Sequence, residues 1–297
     1  MENVIEIKGV TKSYKGFKLG EIDVEIPMGF STALIGANGA GKTTLLDIIC
    51  GITVKKSGEI KYFGEKTDID DEELKNKIGY CSSVDFFPDN WNLKNVMTAM
   101  ELGFDNFDRK RFKELCKKFK LEDPDAKKQK KIAKLSDGNK MRTYLAAVLA
   151  RDTDVLILDE PGSSLDPLAR DLLCDMFREY LAEKDGERSV LFSTHNISDM
   201  ENATDYVILM AAGKIIETGF VEDLKQKYIL VHGDAENFER AKPFMISYTK
   251  SRSSFEGIAL SDNVDMLGAV DTVLEMPTLQ QLCVGILRKA ENDEEKK

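Results

Sequence analysis

Short apolar runs alternate with helix-spaced apolar positions along most of this chain. Val4-Ile5-Glu6-Ile7 and the alternating Ile22-Asp23-Val24-Glu25-Ile26 predict half-buried strands. Thr32-Ala33-Leu34-Ile35 predicts a further strand, leading into a glycine-rich segment. Asp70-Asp71-Glu72-Glu73-Leu74 predicts an acidic helix start, followed by a short strand, Ile78-Gly79-Tyr80-Cys81. From about 92 to 135 the spacing predicts helix, with Phe112, Leu115, Cys116 and Phe119 on one face. A helix over 143–150, a buried strand Val155-Leu156-Ile157-Leu158, a helix over about 168–183 and a strand over 189–193 continue the series. Such alternation predicts a mostly parallel sheet flanked by helices. Past about 220 the texture changes: Tyr228-Ile229-Leu230-Val231 predicts a strand, and Pro277-Thr278-Leu279 opens an amphipathic helix running to Leu287. Residues 221–290 are expected to form a small appended subdomain, and the charged end, 291–297, to be disordered.

Composition narrows the function. The 297 residues suffice for one large domain and a small one. A net charge of −10 argues against a general nucleic-acid binder, which would carry a basic surface. Cys50, Cys81, Cys116, Cys174 and Cys283 are odd in number, widely spaced and free of any C-x-x-C, as expected of a reduced, cytosolic protein. With only His195 and His232 present, a histidine-rich metal site is excluded. No run of 18 apolar residues occurs, so a membrane role would have to come through a partner.

The chemistry is concentrated after the third strand. Gly36-Ala37-Asn38-Gly39-Ala40-Gly41-Lys42-Thr43-Thr44 spells a phosphate-binding P-loop between a strand and a helix, Thr44-Leu45-Leu46-Asp47-Ile48-Ile49. The glycines let the backbone wrap a polyphosphate closely, with N–H groups and the helix N-terminus facing its charge. Lys42 can reach the β- and γ-phosphates, and the Thr43 hydroxyl can ligate Mg²⁺. The bare pattern arises by chance in roughly one per cent of chains this long, before its strand–helix setting is counted. Downstream, Val155-Leu156-Ile157-Leu158-Asp159-Glu160 is a strand ending in two carboxylates. Placed beside the P-loop strand, it would bring Asp159 near the metal and let Glu160 polarise the attacking water. Alone, such a strand could equally end in two solvated acids.

Three further segments carry a resemblance. Leu135-Ser136-Asp137-Gly138-Asn139, Pro161-Gly162-Ser163-Ser164-Leu165-Asp166-Pro167 and Ser193-Thr194-His195, in this order with the P-loop, resemble the signature, D-loop and switch histidine of the ATP-binding cassette (ABC) family. The resemblance spans roughly 3–220 and implies an α/β P-loop NTPase cassette. Its parts would be a mostly parallel core sheet, an N-terminal antiparallel β subdomain, a helical subdomain at about 84–150 and a small C-terminal α+β extension. It implies two cassettes paired head to tail, with Ser136 and Gly138 reaching the ATP of the partner protomer and Asp166 at the dimer interface. His195 would contact the γ-phosphate, and Tyr14, in Thr11-Lys12-Ser13-Tyr14-Lys15-Gly16, would stack on adenine. It also implies a separate integral-membrane permease, with the cassette cytoplasmic and peripheral at the inner face of the cell membrane. Where the family places a metal-binding Gln, Ser83 stands; its shorter hydroxyl would need a bridging water, or Asp85 would substitute. Asp137 replaces a signature glycine and is expected to turn from the nucleotide and cap its helix. That replacement, and the segment Glu275-Met276-Pro277-Thr278-Leu279-Gln280, resemble the exporter subgroup that pairs with ABC-2 type permeases. The alternatives are a soluble ABC ATPase acting on ribosomes or DNA, and a weakly hydrolysing, ATP-gated regulatory cassette.

Overall fold

A computed structural model describes residues 2–66, 71–82, 86–198 and 200–295. In chain order, β1 (Asn3–Tyr14), β2 (Phe17–Pro27) and β3 (Ser31–Ile35) lead to α1 (Lys42–Ile49), then β4 (Ser57–Tyr62), α2 (Glu72–Lys77) and β5 (Ile78–Cys81). Three helices, α3 (Leu93–Gly103), α4 (Arg109–Lys118) and α5 (Asp137–Leu149), precede β6 (Val155–Leu158), α6 (Pro167–Ala182), β7 (Ser189–Thr194), β8 (Tyr206–Ala211) and β9 (Lys214–Phe220). Then come α7 (Val221–Lys227), β10 (Tyr228–Asp234), α8 (Phe238–Ala241), β11 (Met245–Lys250), β12 (Ser254–Leu260), α9 (Val264–Gly268), β13 (Val273–Glu275) and α10 (Leu279–Glu295).

The central sheet runs β5-β6-β7-β3-β8-β9, parallel except for the antiparallel edge strand β9. Its inner strands are apolar on both faces because both faces are covered. Leu156, Leu158, Val190 and Phe192 join one core with α5 and α6, whereas Val155, Ile157, Leu191 and Leu34 join another with α1. The second core also takes in the antiparallel sheet β2-β1-β4. One expectation is corrected here. The strand bearing Asp159 and Glu160 is not beside the P-loop strand: β7 lies between them, with Ser193 in register with Leu34. An apolar run marks a strand as central, but strand order depends on contacts far apart in sequence.

Helix was expected through 135, yet α4 ends at Lys118 with Phe119 as its C-cap, and Lys120 takes a left-handed φ of 57°. Asp123 then turns the chain around Pro124, its carboxylate accepting the Asp125 N–H at 2.9 Å. The proline and this side-chain bond compete successfully with the helix. Only a short 3-10 turn, Ile132–Lys134, precedes the signature segment.

The C-terminal unit is a four-stranded antiparallel sheet, β11-β12-β10-β13. One face buries Val231, Phe255 and Ala259 against Phe238 and Leu267. Opposite, Leu230 and Ile258 meet Leu279, Leu282, Cys283 and Ile286 of α10, which extend the larger cassette core. Thr278 and Gln281 cap α10 reciprocally, at 3.0 and 3.2 Å, and the Glu201 carboxylate accepts the Leu279 N–H at 3.0 Å. The end expected to be disordered instead continues α10 over 291–295. All five cysteines are free, and burial pushes the thiols of Cys81, Cys116 and Cys283 up to about 12, so they are packing residues at neutral pH.

Candidate nucleotide site

The P-loop leaves β3 at Gly36, where a Cβ would stand 2.3 Å from the Met210 carbonyl oxygen. Ala40 donates its N–H to the Ala37 carbonyl at 3.1 Å, closing the turn through Asn38 and Gly39. Gly41 has a φ of 108°, and a Cβ there would meet Phe17 Cζ at 2.7 Å. Glycine is therefore required at Gly36 by the close backbone and at Gly41 by conformation. Gly41 begins α1, whose first N–H groups have no acceptor within the helix. Lys42, Thr43 and Thr44 carry those groups and line a cavity of about 590 Å³, together with Asn38, Gly39, Gly41, Gly16, Phe17 and Glu160.

Charged and hydroxyl side chains converge at this end of the sheet. Lys42 is 5% exposed; its ammonium donates to the carbonyls of Gly36 at 2.8 Å and Ala37 at 3.3 Å. It also lies 3.3 Å from Glu160 Oε1, while Glu160 Oε2 lies 2.8 Å from His195 Nδ1. Glu160 itself has a φ of 51°, in the left-handed region that a side chain disfavours. Thr43 donates its hydroxyl to Asp159 Oδ2 at 2.8 Å. Asp47, one turn further along α1, accepts the Tyr80 hydroxyl at 2.9 Å; burial raises its carboxyl above the ordinary range, and the Asp159 charge adds to this.

The signature and D-loop residues meet at another face. Ser136 caps α5, accepting the Asn139 N–H at 3.4 Å, so Ser136 takes the capping role expected of Asp137, which occupies the first helical position. A Cβ on Gly138 would lie 2.8 Å from the Ser164 carbonyl oxygen, so the signature helix rests directly on the D-loop. Asp166 caps α6 through the Ala169 N–H at 3.0 Å and forms an ion pair with Arg142 of α5. Those contacts, the Ala169 N–H first, hold its carboxyl below the usual range.

Lys42, Thr43, Asp159, Glu160 and His195 are thus brought together. Of these, Lys42, Thr43 and Glu160 line the P-loop cavity; Asp159, His195, Ser136, Gly138 and Asp166 are not among its lining residues. Nor is Tyr14, which is 48% exposed under the Lys12 ammonium, 5.2 Å from its ring centroid. Ser83 and Asp85 lie outside the described residues. Sequence reasoning missed two residues. Phe17 follows the Lys15-Gly16 turn and lines the cavity, so an aromatic straight after that turn was the available signal. The other, Ser193, stood only as part of the switch segment; the available signal was a hydroxyl straight after the apolar run Val190-Leu191-Phe192, two places before the histidine.

The ABC transporter family model matches residues 19–163. The nickel import ATP-binding protein NikO of Rhodobacter capsulatus is 31% identical over 234 residues, 74% of this chain and 90% of that protein. The Nod factor export ATP-binding protein I of Rhizobium leguminosarum bv. viciae is 32% identical over 223 residues, covering 72% and 68%. Among solved structures, a post-hydrolysis state of a dimeric ATP-binding cassette bound to ADP and Pi superposes with a TM-score of 0.63 at 26% identity, over 73% of this chain and 98% of that one. With this likeness and the P-loop geometry in agreement, the chain belongs to the ATP-binding subunits of ABC transporters, and it is an ATP hydrolase.

Proposed function

We propose that this subunit pairs with a second cassette, identical or closely related, and powers a separate integral-membrane permease from the cytoplasmic face. The observation that carries the proposal is the placement of Ser136, which stands exposed at the start of α5 and does not line this chain's own P-loop cavity. A second chain's helix N-terminus, with Ser136 and Gly138, would supply further donors to the γ-phosphate. ATP would then hold the pair closed and ADP would let it open, a bistable contact biased by the ligand. Among the described residues no helix is long and apolar enough to cross a membrane, so the translocation path would belong to the permease.

Within each site, Lys42 would bind the β- and γ-phosphates, Glu160 would polarise water, and His195 would orient both the γ-phosphate and that water. Tyr14 would stack on adenine. The Thr43 hydroxyl and Asp159 carboxylate, in contact at 2.8 Å, fit Mg²⁺, a hard cation that takes oxygen ligands and keeps several waters. When bound, that ion neutralises charge on the phosphate oxygens. Among the described residues no cluster of three or more His, Cys, Asp or Glu offers a rival metal site.

Export is the proposed direction, supported by Asp137 in the signature and by resemblance of the tail to exporter cassettes. The test is affinity purification of the Glu160→Gln chain with ATP from detergent-solubilised membranes. A polytopic membrane protein and a second cassette should co-purify. Recovery of ribosomal RNA or DNA instead would favour the soluble ATPase reading. Inside-out vesicles carrying the wild-type complex should then accumulate substrate in the lumen on adding ATP, whereas ATP-driven loss would mean import.

A further inference from the structure

We infer that Ser193 is a positioning residue that aligns both acidic side chains of the hydrolytic site. The inference rests on the roles proposed above for Asp159 and Glu160. The strand carrying it, β7, separates β6 from the P-loop strand, so its C-terminal end fills the gap between the acids and the P-loop. Val190, Leu191 and Phe192 are apolar and buried; Ser193 follows them with a hydroxyl that is 0% exposed. A buried hydroxyl is costly unless it is bonded, and this one is bonded twice. It donates to Asp159 Oδ1 at 2.5 Å and accepts the Glu160 N–H at 2.9 Å.

Each bond does something specific. Asp159 is gripped at both oxygens, Oδ1 by Ser193 and Oδ2 by Thr43, which fixes the plane of the carboxylate and leaves Oδ2 facing the P-loop. The second bond pins the backbone of Glu160, whose φ of 51° a glutamate holds only under constraint from its surroundings. That backbone carries the Glu160 carboxylate to within 3.3 Å of Lys42 and 2.8 Å of His195. Ser193 is fully buried and its hydroxyl is engaged by the two acidic residues, so it acts through them and not on nucleotide directly.

The test uses the full chain bound to a non-hydrolysable ATP analogue, with Mn²⁺ as the probe and electron paramagnetic resonance as the readout. Ser193→Ala should bind Mn²⁺ more weakly by roughly ten- to a hundredfold, with a comparable fall in kcat under Mg²⁺. Its nucleotide affinity in EDTA should be unchanged. Ser193→Thr, which keeps the hydroxyl, should restore both values. A merely structural hydroxyl would lower the melting temperature and leave Mn²⁺ affinity at the wild-type value, and that result overturns the inference. Asp159→Asn separates the two levels of argument. If it keeps full Mn²⁺ affinity, the metal assignment itself fails; if it loses affinity while Ser193→Ala does not, only the role of Ser193 fails. Should Ser193→Ala not fold, Ser193→Cys, similar in shape but a weak donor, takes its place, with the same losses expected and the same wild-type values overturning the role.

Discussion

Glu160 illustrates how single residues divide the work at this site. Its carboxylate bridges Lys42 and His195, so the lysine proposed to bind phosphate already has an anionic partner. On that proposal, arriving nucleotide would have to take Lys42 from Glu160. Replacing Glu160 with Gln removes the charge that competes for Lys42 and also the base proposed to polarise water. Turnover should therefore fall about 10²-fold or more, while ATP binds at least as tightly as in the wild type. Steady-state hydrolysis and equilibrium titration on one preparation check both; weaker ATP binding in Glu160→Gln would remove the competition from the account. These residues were legible because a P-loop and a pair of acids are local patterns whose chemistry constrains their spacing. Ser193 was not, since its partners lie 33 and 34 positions away and only the fold brings them together. Phe17 was hidden for a similar reason: one aromatic beside a turn looks like another until the cavity closes around it.

At the scale of elements, the contact between the α5 start and the D-loop packs the signature segment against the loop that follows Asp159 and Glu160. From Glu160 the chain runs through Gly162 and Ser164 to Asp166, where the Arg142 ion pair returns it to α5. Gly138 makes that approach possible, its Cα hydrogen facing the Ser164 carbonyl. A methyl there would sit 2.8 Å from backbone oxygen, so helix or loop must shift. Gly138→Ala should cost about 1–3 kcal/mol of stability through overpacking. Turnover should drop up to about 10²-fold, because a displacement near 1 Å misaligns reacting groups. Nucleotide binding to the isolated chain should be spared, because Gly138 does not line the P-loop cavity. Calorimetric melting, ATP titration and hydrolysis separate the three effects; unimpaired turnover would show that the two segments are not coupled. Secondary structure was read well where a run had a single period, as in β3, β6 and β7. It failed after Phe119, where a proline and an aspartate side chain outweighed helical spacing, and it could not give the order of strands in the sheet.

For the whole molecule, the question is whether the unit after residue 220 is an attachment or part of the cassette. Its sheet has a core of its own around Val231, Phe255 and Leu267, which suggests an attachment. Helix α10 argues otherwise. Leu279, Leu282, Cys283 and Ile286 are buried in the same core as Leu158 of β6, Phe177 of α6 and Phe192 of β7. Glu201, six residues past His195, fixes the start of that helix through the Leu279 N–H. Leu282 is 0% exposed, so Leu282→Ala should cost about 2–5 kcal/mol, the loss of buried methyl groups plus a cavity. If cassette and tail share one core, that loss appears as a single cooperative transition at a lower melting temperature. If they are independent, a low-temperature transition splits off and the ATP-protected one stays where it was. The same logic covers truncation after Lys227, which strips α10 from the cassette and leaves Tyr228, Leu230 and Ile258 absent from the core they help fill. Such a chain should aggregate or bind ATP only at reduced temperature; a truncated cassette melting at the wild-type temperature with full hydrolysis would mean that α10 merely rests on its surface.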